Sequence, residues 1–444
     1  MDLTALIPSF GNLFFTLGAF VVALSIIVAV HEYGHYIVGR WSGIHAEVFS
    51  IGFGPVLFSG IDRHGTRWQV AALPFGGYVK FMGDANAASA ADNAAMAEMS
   101  PAERRRSMPG APLWARAATV AAGPVFNFLF SILIFAGFVM LNGIAAESPR
   151  LGTVYPLPAP TQDLREGDLI TAIEGQPTET LQDYYQVAED VPGAPTVDYT
   201  VERDGDTMAL EGPHPVPARA AGITLNSAAR DAGMRTGDVI LEVDGRPVWS
   251  FSQLPTIVNE AEGQPLQLRV WRDGDEMDLT LIPRRTDLPL PEGGFETRWL
   301  IGLQSGAFFD HPTRQPAASE VLPYAVDQTW SVIARSMSGL YHIVSGAIST
   351  CNLSGPIGIA TTSGAMAAEG GWSFVWFIAV LSTAVGLLNL FPIPILDGGH
   401  LVFHAWEAVT GKPPGERALS VLMTIGLVLL GSLMLFALFN DLFC

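Results

Sequence analysis

The chain is short of charge, short of basic residues in particular, and short of cysteine. Only 15 % of its 444 residues are Asp, Glu, Lys or Arg, where soluble domains carry about 25 %. Lys and Arg number 24 against 43 Asp and Glu, a formal net charge of −19. That deficit excludes nucleic acid as the main partner. Two cysteines, Cys351 and Cys444, exclude a disulfide framework. One bridge between them is allowed but not implied, and two unpaired thiols are expected. The first apolar run has no basic n-region and no small-residue cleavage site, so it reads as a retained span and not as a cleaved leader.

What is present is apolar sequence, 49 % of the chain, and it is clumped. Four runs, Phe10–Val38, Ala117–Ile144, Trp372–Leu390 and Ala418–Phe439, reach the roughly 20 residues that a bilayer crossing needs. A polytopic α-helical membrane protein with four transmembrane helices is the expectation. The Gly39–Arg116 loop holds Arg40, Arg63, Arg67, Lys80, Arg104, Arg105, Arg106 and Arg116, and the Glu407–Arg417 turn adds Lys412 and Arg417. The positive-inside rule puts both loops in the cytoplasm, and both termini and Ser148–Gly371 outside.

Length alone suggests two to four domains. Within the Gly39–Arg116 loop, HAEVFSIGFGPVLFSG and RWQVAALPFGGYVKFMG have strand-like composition around a DRHG turn, which predicts a membrane-associated β-hairpin. The polar, Ala-rich tract Asp84–Arg106 reads as a flexible loop or a short cytoplasmic helix. Further on, the chain repeats itself. Gly167/Gly237, Gly175/Gly245, Gly193/Gly263 and Pro177/Pro247 recur at one offset, and the RDGD segments at Arg203 and Arg272 are one residue closer. Each copy reads turn, strand, Asp/Glu-Gly turn, strand, helix, strand, RDG hairpin, strand. Both copies resemble PDZ domains, GDVILEVDGRPV more closely than GDLITAIEGQPT. The expected organisation is a membrane core over 1–147, PDZ-like domains over 148–216 and 217–286, a linker and amphipathic helix over 287–371, and a second membrane core over 372–444. Thr286–Glu320 is read as linker. Val321–Thr350 is read as an amphipathic helix, either on the membrane surface or packed on the PDZ-like pair.

The chemistry concentrates in His31-Glu32-Tyr33-Gly34-His35, at the end of the first apolar run. On a helix, HExxH puts two imidazoles one turn apart on one face, where both can bind one zinc ion. Glu32, beside the metal, is placed to take a proton from water activated there. Ionisable residues at membrane depth are costly and mark functional sites. A catalytic zinc takes a third protein ligand. Asp397, after the broken segment NLFPIPILDGGH, is the candidate, because irregular backbone at membrane depth is tolerated only where it is buried or lines a cavity. His400 and His404 form a rival pair without an adjacent glutamate and are read as packing or supporting residues.

HEYGH, GFG, GPVFN (Gly123–Asn127) and NLFPIPILDGG together resemble the site-2 proteases, a family of zinc intramembrane metalloproteases. The likeness covers essentially the whole chain, and the PDZ-like pair between the second and third spans is similar to that of bacterial members. It implies one Zn2+ held by His31, His35 and Asp397, with Glu32 as general base. Gly52, Phe53, Gly54 and Asn389 would bind substrate. It implies a bacterial inner membrane location, with both termini and the PDZ-like domains periplasmic and the active site near the cytoplasmic side. Single-span membrane proteins, such as an anti-sigma factor of envelope-stress signalling, would be substrates, and remnant signal peptides are a second candidate class. The PDZ-like pair would meet substrate ectodomains or new C-termini. Read from residues alone, two other functions stay open: a PDZ-based scaffold with a structural metal, and a metal transporter.

Overall fold

The computed structural model describes residues 6–84, 93–158, 163–224, 227–289 and 295–443. Met1–Val139, Ala317–Val344 and Thr350–Cys444 form one compact unit, and Met140–Pro316 with Ser345–Ser349 forms another.

The first unit begins with α1 (Leu6–Trp41), an unbroken helix of 36 residues. A chain without water must pair its backbone internally, and a helix does so locally. β1 (Ala46–Ile61) and β2 (Arg67–Phe81) then pair antiparallel as the expected hairpin. Its first half is buried. Phe49, Val79 and Phe81 pack with Tyr36 and Ile44. Its far half exposes Val56, Leu57, Phe58 and Leu73. The Ala-rich tract holds two short helices, α2 (Asn93–Glu98) and α3 (Pro101–Arg106), and its residues 85–92 lie outside the described residues. Ser100 caps α3 in a capping box with Glu103. α4 (Leu113–Asn142) is the second long apolar helix, and Pro124 lies inside it.

The second unit carries the repeat. β3 (Ile144–Ala145) leads to β4 (Leu169–Ile173), β5 (Gln176–Pro177), α5 (Leu181–Asp190), β6 (Val197–Arg203) and β7 (Asp206–Gly212). After β8 (Gly222–Ile223) and α6 (Ala228–Asp231) the pattern recurs as β9 (Val239–Val243), β10 (Arg246–Pro247), α7 (Gln253–Glu260), β11 (Leu266–Arg272) and β12 (Asp275–Leu281). The two sheets have orders β5-β4-β6-β7 and β10-β9-β11-β12, one topology twice. Their tight turns match as well. Glu174 and Asp244, like Asp204 and Asp273, take positive φ before a positive-φ glycine, as type I′ hairpin turns require. Each copy also buries the aspartate of its GD turn against the arginine of its RDG hairpin. Arg203 forks onto Asp168 at 2.6 and 2.7 Å, and Arg272 onto Asp238 at 2.7 and 2.7 Å.

The segment expected to be a linker is built into the fold instead. β13 (Arg284–Pro289) pairs with β14 (Phe295–Leu300), β15 (Leu303–Gln304) with β8, and β16 (Thr313–Arg314) with β3. Trp299, Ile301 and Leu303 join the core of the second copy. Ala307, Phe308 and Phe309 join that of the first. Proline and glycine punctuation suggested a tether, but the apolar residues between find their partners far away in sequence.

Back in the first unit, α8 (Ala318–Val344) packs Ala325 and Val332 near Phe135, Ala379 and Trp376. Its small residues face α4 and α10 (Gly371–Asn389), while Leu322, Val326, Trp330 and Met337 point outward. Between them lies α9 (Pro356–Glu369), which the sequence reading did not separate from the linker region. α9 runs against α1 so closely that a Cβ on Gly364 would lie 2.4 Å from Thr16 Oγ1. α11 (Asp397–Thr410) and α12 (Glu416–Phe443) complete the unit. Asp441 of α12 accepts the Gly355, Ile357 and Gly358 N–H groups at the start of α9. Cys351, beside this cap, is disulfide-bonded, which corrects the expectation of free thiols. The chain has one other cysteine, Cys444, outside the described residues. Among the described residues, four helices, Leu13–Trp41, Leu113–Asn142, Gly371–Asn389 and Arg417–Phe443, are long and apolar enough to cross a membrane.

Candidate metal centre

His31 and His35 sit one turn apart on α1, with their Nε2 atoms 3.2 Å from each other. Both face the carboxylate of Asp397, with Oδ2 at 3.1 Å from His31 Nε2 and 3.5 Å from His35 Nε2. The three side chains form the one cluster of three candidate metal ligands found among the described residues, with ligand atoms within 4.8 Å of one another.

The NLFPIPILDGGH segment explains how Asp397 arrives there. α10 stops at Asn389, prolines 392 and 394 prevent its continuation, and α11 starts at Asp397. The chain reverses so tightly that a Cβ on Gly398 would lie 2.3 Å from the Leu390 and Phe391 carbonyl oxygens. Asp397 is not a helix cap. Leu396 holds the N-cap position, no side chain caps the helix, and Asp397 Oδ2 is buried without a hydrogen-bond partner.

α4 supplies the ring supports, which the sequence reading missed. His35 Nδ1 donates to the Thr119 carbonyl at 2.8 Å. That fixes the proton on Nδ1 and leaves Nε2 as an acceptor. His31 Nδ1 lies 3.2 Å from the amide of Asn127, which is fully buried, with Oδ1 lacking any partner. Turning that amide over sets Oδ1 against the ring Nδ1–H and satisfies both groups, and amide orientation is assigned from such networks. Nε2 of His31 is then an acceptor too. Two nitrogen lone pairs and a carboxylate oxygen converge with no proton between them, which a cation would satisfy. Two imidazoles and one carboxylate suit zinc with an open fourth position. Gly123, also on α4, makes room, since a Cβ there would lie 2.4 Å from His35 Nε2 and 2.7 Å from His31 Cε1. Small residues bring α10 onto α4. Ser382 and Ser131 both donate to the Asn127 carbonyl at 3.0 Å.

A cavity of about 510 Å3 opens beside these three side chains. Glu32, Asn389 and Tyr78 line it. The Val79 N–H hydrogen-bonds the Glu32 carboxylate, and a Cβ on Gly77 would press within 3.3 Å of Glu32 Cγ. Asn389 uses its Nδ2 on the Val385 carbonyl at 3.0 Å. Gly52, Phe53 and Gly54 do not line the cavity. The two glycines take positive φ at an irregularity of the hairpin, and Phe53 stacks on Tyr78 at 5.9 Å. It is the Gly77–Phe81 stretch of β2 that lies along the cavity wall.

The far wall holds further polar groups. Arg116 of α4 forks onto Glu407 of α11 at 2.6 and 3.0 Å, both ends largely buried. Burial, aided by the Arg116 guanidinium, pushes His404 down to about 4, and burial lowers His400 as well. Both imidazoles are therefore neutral, and neither joins the ligand cluster. Asp84 lines the cavity too, 4 % exposed, and burial raises it to about 7.

An HExxH helix, a carboxylate delivered by a second helix and long apolar helices around them define a membrane-embedded metallopeptidase. The chain belongs to peptidase family M50, whose sequence model matches residues 19–433. Over 433 residues, 97 % of both chains, it is 36 % identical to a Rhizobium meliloti protein whose name places it among zinc metalloproteases. An Agrobacterium fabrum protein of like name is 36 % identical over 95 % of this chain and 94 % of its own. Over 459 residues, 97 % of this chain and 99 % of the other, it is 33 % identical to the regulator of sigma-E protease RseP of Salmonella typhimurium. The protein is a zinc metalloprotease of the site-2 protease family and spans a membrane.

Proposed function

We propose that the protein hydrolyses peptide bonds within or near the transmembrane segments of single-span proteins, with His31, His35 and Asp397 holding the zinc and Glu32 acting as general base. The observation that carries this reading is the buried, unpartnered Asp397 Oδ2 facing two imidazole nitrogens, with Glu32 on the adjoining cavity wall.

A peptide bond inside a membrane helix is shielded because its N–H and C=O are already paired. The substrate must first unwind, and the β1–β2 hairpin offers strand edges to receive it. The irregularity at Gly52-Phe53-Gly54 shapes that edge, and Phe53 bears on the cavity through Tyr78. The free Oδ1 end of Asn389 is available to a substrate N–H, since Nδ2 is tied to Val385. Zinc, when bound, supplies Lewis acidity for the scissile carbonyl and lowers the pKa of water. Glu32 takes the proton of the attacking water and hands it to the leaving nitrogen. Thr119 and Asn127 hold the imidazoles in orientation throughout.

The strand order and type I′ turns of the two repeats support PDZ-like domains near 148–216 and 217–286. They would meet the substrate ectodomain or its new C-terminus. The basic Gly39–Arg116 loop and the disulfide at Cys351 support an inner membrane placement with the repeats and termini on the oxidising, periplasmic side. The Salmonella relative is named as a protease regulating sigma-E, which supports the anti-sigma factor substrate class that the family resemblance implies.

The test is Glu32→Gln in purified protein with a single-span substrate. Zinc content should stay unchanged while cleavage falls by about 10²–10⁴-fold. Cleavage at the wild-type rate would sink the mechanism.

A further inference from the structure

A second cavity, of about 230 Å3, lies where the end of α1 meets the hairpin turn. Its wall includes Arg40, His45, His64 and Arg106. Arg40 stands in the last turn of a helix long and apolar enough to cross a membrane, where a span's basic end residue would meet lipid headgroups. Its Nη2 lies 2.7 Å from His64 Nε2, and Arg63 Nε donates to the same nitrogen at 3.2 Å. One imidazole lone pair cannot satisfy two guanidinium donors. Among the described residues, none of Arg40, Arg63 and Arg106 has a carboxylate within ion-pair distance. The nearest acid in sequence, Asp62, is already committed. Its two oxygens accept His64 N–H, Thr66 N–H, the Tyr36 hydroxyl and the Trp68 indole. Two arginines, Arg40 and Arg106, thus line a hollow with room for several waters, Arg63 adds a third guanidinium on the His64 side, and the nearby carboxylate is already occupied.

We propose that this cavity is a phosphate-binding site, taking a phosphate mono- or diester between Arg40, Arg106 and the two imidazoles. Guanidinium groups match phosphate oxygens in bidentate geometry, and basic pockets at the ends of membrane helices suit phospholipid headgroups. Free phosphate offers the same chemistry. Binding would fill the donors that His64 leaves unsatisfied, and would tie the end of α1 to the turn of the hairpin whose other end borders the catalytic cavity.

The experiment uses the purified full chain in a neutral detergent, with monomeric short-chain phosphatidylglycerol, short-chain phosphatidylcholine and inorganic phosphate as probes, binding being read by native mass spectrometry and thermal shift. Phosphatidylglycerol should bind in preference to phosphatidylcholine. Arg106→Gln, on an exposed side chain, should weaken it about fivefold, and Arg40→Gln with Arg106→Gln about 25-fold, a factor near five per basic group. Arg105→Gln, on the same short helix but outside the cavity, should leave affinity unchanged. Millimolar phosphate that displaces the lipid identifies free phosphate as a ligand of the site, and failure to displace it identifies the headgroup. Equal affinity for the two lipids with no response to phosphate overturns the proposal, as does an Arg105→Gln loss equal to that of Arg106→Gln.

Discussion

Asn127 and His31, 96 positions apart, meet in the buried interior, with the amide 3.2 Å from Nδ1 and the amide oxygen otherwise without a partner. A ring so held would present Nε2 in one orientation to the proposed zinc. Replacing Asn127 with Ala should weaken zinc binding by about 10–100-fold, measured by competition with a chelator, while the helix content stays as it was. Unchanged zinc affinity would remove Asn127 from the ring's support.

Gly123 makes a sharper test of the same packing. A methyl group there would overlap His35 Nε2. Gly123→Ala should lower the zinc content and abolish cleavage, and overpacking costs about 1–3 kcal/mol. Gly137→Ala, on the same helix with nothing within 4 Å of the added carbon, should bind zinc normally. Metal analysis of the two purified variants decides between a steric effect at the site and a general effect on α4.

Asp84 sets a pH dependence. Burial raises its carboxyl from 3.8 to about 7, with the Phe81 N–H and Lys80 opposing. The folded protein keeps the proton up to that point, whereas the unfolded chain releases it near 3.8. Stability from this group is thus full below pH 4 and is lost as pH rises to 7, about 1.4 kcal/mol per unit. Asp84→Asn should raise the unfolding temperature above that of the wild type at pH 8 and change it little at pH 4. No difference between the two pH values would show that Asp84 ionises freely.

The paired arginines of the repeats carry a matched prediction. Asp168 and Asp238 are each 1 % exposed, and one arginine neutralises each. Removing only the arginine strands a buried charge, at a cost of about 3–5 kcal/mol. Arg203→Met and Arg272→Met should each speed limited proteolysis of the 140–316 unit, and adding Asp168→Asn or Asp238→Asn should restore much of the resistance.

Some of this was legible in the residues. The four long helices were, because hydrocarbon demands unbroken apolar runs. So were the hairpin and the repeated turns, because Gly and Asp mark positive-φ positions locally. His31 and His35 are readable together because one helical turn separates them. Asp397 is readable as an acid beside a proline break, although nothing in the spacing says which helix it meets. Thr119, Gly123 and Asn127 meet the imidazoles across 84 to 96 positions, and such contacts leave no periodicity. The linker was misread for the same reason. Phe308 and Phe309 find their core more than 100 residues upstream. The pairing of Cys351 and the Arg116–Glu407 fork were invisible too, since each joins groups that only folding makes neighbours.

The sequence by itself determined that the chain enters a membrane, carries a duplicated module and holds a pair of imidazoles on one helix face, because short-range sterics and solvation decide those features. Only the tertiary structure decided that Asp397, already the sequence's candidate, meets the two imidazoles, which backbone carbonyl and amide orient the rings, and where guanidinium groups without an ion-pair partner gather. Those outcomes depend on packing between distant helices, where a single methyl group at Gly123 would be enough to displace the His35 imidazole.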